Sequence, residues 1–268
     1  MTFADFILRT AALAVALGLI MAFAWLLWLR TRNSGWIDTA WTFGLGAVGF
    51  AAALWPFAAA SDRQALVAAL IAVWAIRLGL HIAFRTAGIA DDPRYGKLVD
   101  GWGSAANWQM FLLVQKQALI SIPLAVAMML AAQNPEPGLR PQDYVAALIF
   151  IVGILGEGIA DAQMRRFRAN PANAGKICDR GLWAWSRHPN YFFEWVCWLA
   201  YPVFAIDAAG DYPLGWLALI GPACMYWVLV HVTGIPYLEA HMLARRGEAF
   251  RAYQARTSAF FPTPPRAA

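Results

Sequence analysis

The sequence predicts an all-α integral membrane protein, a bundle of about seven transmembrane helices. Three observations carry that prediction. Of 268 residues, 60% are hydrophobic and only 14% charged, with 14 tryptophans among them, and a soluble domain of this length cannot cover so much apolar surface. The apolar residues gather in runs near the roughly 20 residues that cross about 30 Å of hydrocarbon. The remaining cations fall almost entirely on alternate loops.

Taken in order, the first run, 7–29, lacks an early cationic cluster and a small-residue cleavage site before Arg30, so it reads as a retained helix and not a secretory signal. Runs at 36–59, 64–86, 107–131 and 142–164 follow. The run at 191–208 is short and interrupted by Pro202, and 212–233 completes the set. Seven spans are expected, with six spans and a re-entrant segment as the alternative. After Pro236, residues 237–254 give a charged amphipathic tail that either lies on the membrane surface or folds back over the loops, and SAFFPTPP ends the helical pattern. No Gly/Ser-rich linker or internal repeat divides the chain, so 1–268 reads as one membrane domain.

With the N-terminus outside, loops 30–35, 85–106 and 165–188 and the tail beyond 234 face the cytoplasm. They hold 16 Lys and Arg, including Arg94 and Lys97, against three (Arg9, Arg63 and Arg140) on the outer side. The net charge of +5 is mostly this asymmetry and not a nucleic-acid footprint. Cys178, Cys197 and Cys224 form no CxxC pair, so neither a disulfide framework nor a metal site follows.

Ionisable residues inside spans are costly and need a partner, a water cavity or a function. Asp38, Arg77, His81, Lys116, Glu157, Asp161 and Glu194 all fall in the inner half. That pattern fits a cavity open to the cytoplasm, formed with the cytoplasmic loops, and not a conduction path across the bilayer. Glu157, Asp161, Arg165 and Arg168 share one helical stripe, which a salt-bridge ladder explains equally well for the arginines. Arg77 and His81, one turn apart, suit a structural partner as well as they suit catalysis.

Residues 181–194, GLWAWSRHPNYFFE, are the most informative stretch. Pro189 at a helix start, Asn190 as a cap and the aromatic belt of Trp183, Trp185 and Tyr191 are ordinary membrane-edge chemistry. Glu194, one turn into an apolar helix behind Arg187 and His188, is not explained that way. Together these residues point to a site for a large, charged, hydroxyl-rich cofactor.

DAQMRRFR, GKICDRGLWAWSRHPNYFFEW and PYLEAHMLARRGEAFRAYQARTSAFFP resemble the carboxy-terminal half of the steroid 5-alpha-reductase family over about residues 145–262, with weaker echoes at DTAW (38–41) and DDPRYGKL (91–98). The resemblance is closest to the bacterial branch. It implies seven helices enclosing NADPH, which enters from the cytoplasm and reduces an activated carbon–carbon double bond of a lipid. It further implies that Asp161 and Arg168 contact the dinucleotide, that Asn190 and Glu194 hold its adenosine or ribose, and that Tyr237 meets the cofactor. Side-chain chemistry agrees: Arg165, Arg168, Lys176 and Arg187 suit phosphates, while carboxylates and an amide suit ribose and adenine, with His188 and Tyr191 completing the loop. No Rossmann glycine fingerprint is present. The adjacent Gln-Glu pair of the animal members has no counterpart, and Leu229 and Thr233 stand near where the family carries an arginine and a histidine, so an unsaturated lipid or enone is the expected substrate class and not a steroid in particular.

Two enzyme classes follow. In a membrane oxidoreductase, Asp38, His81 and Tyr95 are the candidate proton donors. In an S-adenosylmethionine-dependent methyltransferase, which isoprenylcysteine and phospholipid methyltransferases resemble in this region, Arg187, His188, Tyr191, Glu239, Phe250 and Tyr253 would hold the cofactor instead. Asn190, Glu194 and the surplus of cations favour reduction. A non-enzymatic lipid-binding subunit is the third reading. Membrane lipids and a lipid-like substrate are the expected partners, no nucleic acid is expected, and a bacterial inner membrane is the expected location.

Overall fold

The computed structural model describes residues 1–56, 61–89 and 91–266, apart from the side chains of Pro93, Arg94 and Lys97. Residues 57–60, at the end of the expected second span and the start of the first outward connection, lie outside the described residues, as do the side chains of Arg94 and Lys97 among the inner-face cations. The chain is 80% helical and has no strand among the described residues. Among the described residues ten α-helices follow one another: α1 (Phe3–Thr31), α2 (Gly35–Leu54), α3 (Asp62–Ala87), α4 (Pro93–Trp102), α5 (Ala106–Ala132), α6 (Pro141–Ala169), α7 (Leu182–Trp185), α8 (Pro189–Ala205), α9 (Ile220–Trp227) and α10 (Ile235–Arg256).

Among the described residues, six helical stretches, not seven, are long and apolar enough to cross a membrane: α1, α2, α3, Leu98–Ala132, α6 and Pro213–Arg256. The run expected at 191–208 folds as α8, with 17 residues and Pro202 inside it. At 1.5 Å per residue that helix is about 25 Å long, short of the roughly 30 Å hydrocarbon layer. The chain leaves the helix after Ala205, within one turn of the proline.

The chain divides into two compact units. The first comprises Met1–Asp143 with Tyr201–Gly221, and the second Tyr144–Ala200 with Pro222–Ala268. In the first, α1, α2, α3 and α5 pack around Trp28, Ile37, Leu45, Ile71, Trp74 and Val114, none more than 2% exposed. Close approach of α2 and α3 depends on Gly46, where a Cβ would collide with that of Ala75. Ser61 begins α3 with a reciprocal cap, its hydroxyl accepting from the Gln64 amide while Gln64 accepts from the Ser61 N–H.

One end of this unit is held by an ion-pair network. Arg63 is 1% and Asp143 0% exposed. Arg63 Nε and Nη2 donate to Asp143 Oδ2 at 3.0 and 2.9 Å, and its other donors reach the carbonyls of Asn134, Glu136 and Gly138. Arg140 Nη2 donates to Asp143 Oδ1 at 2.9 Å and to the Phe204 carbonyl. Arg63, expected as a loop cation, is therefore a buried structural group. Its positive charge is matched by Asp143, and its remaining donors satisfy loop carbonyls that no helix could.

In the second unit α6 and α8 meet at small residues: a Cβ on Gly153 would strike Cys197, and one on Gly156 would strike the ring of Phe193. The connection between them docks on the same stretch of α6, with Trp183 Nε1 donating to the Ala160 carbonyl at 3.0 Å and the Leu182 N–H to Gln163 Oε1 at 2.9 Å. A π-helical turn, Val228–Val232, leads from α9 toward α10. The latter is broken at Gly247, whose φ of 49° and ψ of −123° are not helical. Gln254 Nε2 nevertheless donates to Glu239 Oε2 at 2.7 Å. Fifteen residues of straight helix would separate these positions by about 22 Å, so the break turns the charged tail back on itself.

Candidate functional site

Each unit contains a polar cluster. In the first, the turn between α1 and α2 is clamped to the segment before α4. Asp91 Oδ1 accepts from the Ser34 N–H at 2.7 Å, from the Ser34 hydroxyl at 2.5 Å and from the Asp92 N–H at 2.8 Å. Asn33 Nδ2 donates to the carbonyls of Thr86 and Ile89 at 3.2 and 2.8 Å. One helical turn beyond Ser34 lies Asp38, and one turn beyond Asp91 lies Tyr95. Their side chains meet as the next rung, Tyr95 Oη donating to Asp38 Oδ1 at 2.9 Å. Two of the three catalytic candidates read from the sequence are thus brought together.

The rung continues into α5. Gln117 Nε2 donates to Tyr95 Oη at 2.9 Å, and one turn on, Trp41 Nε1 donates to Ser121 Oγ at 2.7 Å while that hydroxyl donates to the Gln117 carbonyl at 2.7 Å. Tyr95 is 7% exposed. Gln117 and Ser121 carried no signal in the sequence beyond being polar in an apolar run. His81, the third candidate, lies part-buried on α3.

The second cluster is built on the loop from Ser186 to Tyr191. Pro189 opens α8, at a helix end where its missing N–H costs nothing. Arg187 Nε donates to Glu239 Oε1 at 2.7 Å, and its Nη1 reaches the carbonyls of Gln254 and Thr257. His188 Nε2 lies 3.1 Å from the same Glu239 oxygen, and its ring stacks on that of Tyr191 with centroids 5.6 Å apart and planes at 13°. A guanidinium, an imidazole and an amide therefore converge on one carboxylate, Glu239, which the sequence reading carried only under the methyltransferase alternative. The signal that would have revealed it is Gly247 inside ARRGEAF, a glycine in an otherwise helical pattern.

The chain beyond α10 straps this loop from the other side. Arg187 N–H donates to the Ser258 carbonyl at 2.8 Å, Thr263 N–H to the Trp185 carbonyl at 3.0 Å, and Ser186 Oγ to the Phe260 carbonyl at 2.9 Å. Tyr253 Oη donates to the Trp183 carbonyl.

Of the expected cofactor residues, Asp161 and Glu194 are buried, at 7% and 6% exposure, and Trp198 Nε1 donates to Glu194 Oε1 at 2.9 Å. Asn190 is part-buried. Arg165 and Arg168 are exposed at the end of α6 and Lys176 in the loop beyond it, while Tyr237 is exposed near the start of α10. Cys178 lies in that same loop, where burial pushes its thiol up from the ordinary range, so it stays protonated at neutral pH. The second unit also has an apolar groove of about 340 Å³ lined by Trp195, Leu199, Pro222, Ala223, Tyr226 and Phe261.

Fold and composition together define an all-α membrane protein with buried polar clusters. The chain belongs to the DUF1295 family, described as a protein of unknown function, whose model matches residues 24–257. It is 24% identical over 308 aligned positions to the uncharacterized protein C594.04c of Schizosaccharomyces pombe, covering 98% of this chain and 83% of that protein. No solved structure matches.

Proposed function

We propose that the protein is an NADPH-dependent reductase of a carbon–carbon double bond in an apolar, enone-like lipid. The observation that carries this reading is the part-buried hydrogen bond from Tyr95 Oη to Asp38 Oδ1, which sets a hydroxyl against a carboxylate inside an apolar helical unit, an arrangement able to hand a proton to a substrate. Three things support it besides. DUF1295 is related to steroid 5-alpha-reductase-like membrane proteins. The buried carboxylates Asp161 and Glu194 suit ribose hydroxyls, and exposed Arg165, Arg168 and Lys176 suit the pyrophosphate and 2′-phosphate. The aromatic groove suits a lipid.

NADPH, when bound, would supply a hydride, with its two electrons, to one carbon of the double bond. Asp38 and Tyr95 are the proposed source of the proton for the other carbon, which they would regain from water. Asp161, Asn190 and Glu194 would hold the nucleoside of NADPH. Arg187 and His188, already balanced by Glu239, shape the loop more than they meet phosphate. On this reading the cation-rich loops and tail lie on the cytoplasmic side of a bacterial inner membrane, with the N-terminus outside.

A second reading, methyl transfer from S-adenosylmethionine, is favoured by Glu239 drawing together Arg187 and His188 beside Tyr191. Protein purified in mild detergent and stripped of bound small molecules separates the two. Recovery of a nicotinamide chromophore, with NADPH oxidation when a lipid-soluble enone is added, supports reduction; recovery of a sulfonium nucleoside overturns it. Asp161→Ala combined with Glu194→Ala is expected to weaken NADPH binding at least tenfold, and unchanged affinity would remove the site assignment.

A further inference from the structure

We propose that Gln117 is a positioning residue in proton delivery, the partner that lets the Asp38–Tyr95 pair give up a proton and take it back. The inference rests on the reductase reading and starts from a count of donors. Trp41 Nε1 is given to Ser121, the Ser121 hydroxyl to the backbone carbonyl of Gln117, the Gln117 side-chain Nε2 to Tyr95 and the Tyr95 hydroxyl to Asp38. The side-chain oxygen of that amide, Gln117 Oε1, is buried and, among the described residues, accepts from nothing. A buried carbonyl oxygen without a donor is costly, so the arrangement needs a reason.

A tyrosine hydroxyl has one proton, and the neighbour that donates to it decides where that proton points. With Gln117 Nε2 donating to Tyr95 Oη, the Tyr95 hydroxyl donates to Asp38 Oδ1. When Asp38 carries a proton, the line runs the other way: Asp38 donates to Tyr95 Oη, Tyr95 donates to Gln117, and the amide turns over to present Oε1. Only a side chain with both a donor and an acceptor serves both states, and glutamine has both. In each turnover Tyr95 would give its proton to the substrate carbon and take one from Asp38, which regains it from water, while the Gln117 amide follows the direction of the Tyr95 hydroxyl. The atoms balance, with one proton in from solvent and one out to carbon in each turnover.

Gln117→Met keeps the length and removes both functions. In NADPH-dependent reduction of a lipid-soluble enone it is expected to lower kcat about tenfold while leaving KM and NADPH affinity within about twofold, and to raise the solvent deuterium isotope effect on kcat as proton delivery becomes limiting. Gln117→Leu, which offers neither a donor nor an acceptor, is expected to lose kcat in the same way, and it stands in if the methionine variant fails to fold. In a Tyr95→Phe background either substitution should add no further loss, because the hydroxyl it positions is gone. Wild-type kcat and isotope effect in the variants, or losses that simply add to that of Tyr95→Phe, reject the role of Gln117. A wild-type protein that reduces no enone with NADPH instead rejects the reductase reading, so the two failures are distinguishable.

Discussion

A guanidinium buried in an apolar unit is tolerated only where every donor finds an oxygen, and Arg63 meets that condition through Asp143 and three loop carbonyls. Removing it leaves Asp143 charged, with Arg140 as its remaining partner, and strips the loop carbonyls of their donors. Arg63→Ala is therefore expected to destabilise the protein by roughly 3–5 kcal/mol, read as a lowered unfolding temperature in detergent. Nothing about Arg63 in the sequence separates it from a snorkelling loop cation, because its burial is decided by a carboxylate 80 positions away. Glu239 is a parallel case in the second unit. Its neighbours Arg187 and His188 stand out in the sequence, while the carboxylate that gathers them lies 52 and 51 residues downstream.

Among the elements, α10 and α8 depart furthest from a uniform apolar or amphipathic helix. The reversal in α10 turns on a backbone conformation at Gly247 that side chains with a Cβ rarely adopt. Gly247→Val is expected to cost roughly 1–3 kcal/mol and to separate Gln254 from Glu239. The check is thermal unfolding together with binding of whichever cofactor the protein retains; a variant as stable as wild type would show that the break is not required. In α8 the polar loop that opens the helix and Pro202 near its end leave 17 residues, so this segment folds as a helix without the length of a span. Among the two alternatives for the tail, folding back over the loops is the one realised, since Glu239 and Gln254 both meet Arg187.

For the whole molecule, the cation asymmetry predicts an orientation that can be measured. With the native cysteines replaced, Glu136→Cys on the short connection before α6 should react with a membrane-impermeant maleimide in intact cells, and Ala172→Cys in the loop after α6 only after permeabilisation. The reverse pattern overturns the orientation. Both positions are exposed, so lack of reaction from one side would report the membrane and not burial.

Fold class was legible in the sequence because span length is a local property: bilayer thickness sets how many apolar residues a helix needs, and composition alone reveals them. Asp38 was legible because an ionisable side chain inside an apolar span stands out by itself, while Tyr95 was named only as a hydroxyl in the charged loop 85–106, within DDPRYGKL. Their contact was decided by the tertiary structure, through the Ser34–Asp91 clamp that brings two turns of helix 57 residues apart into register. Gln117, Arg63 and Glu239 belong to the same class of decision. A hydrogen bond between distant positions depends on which loops close and which helix faces meet, and no run of neighbouring residues encodes that by itself.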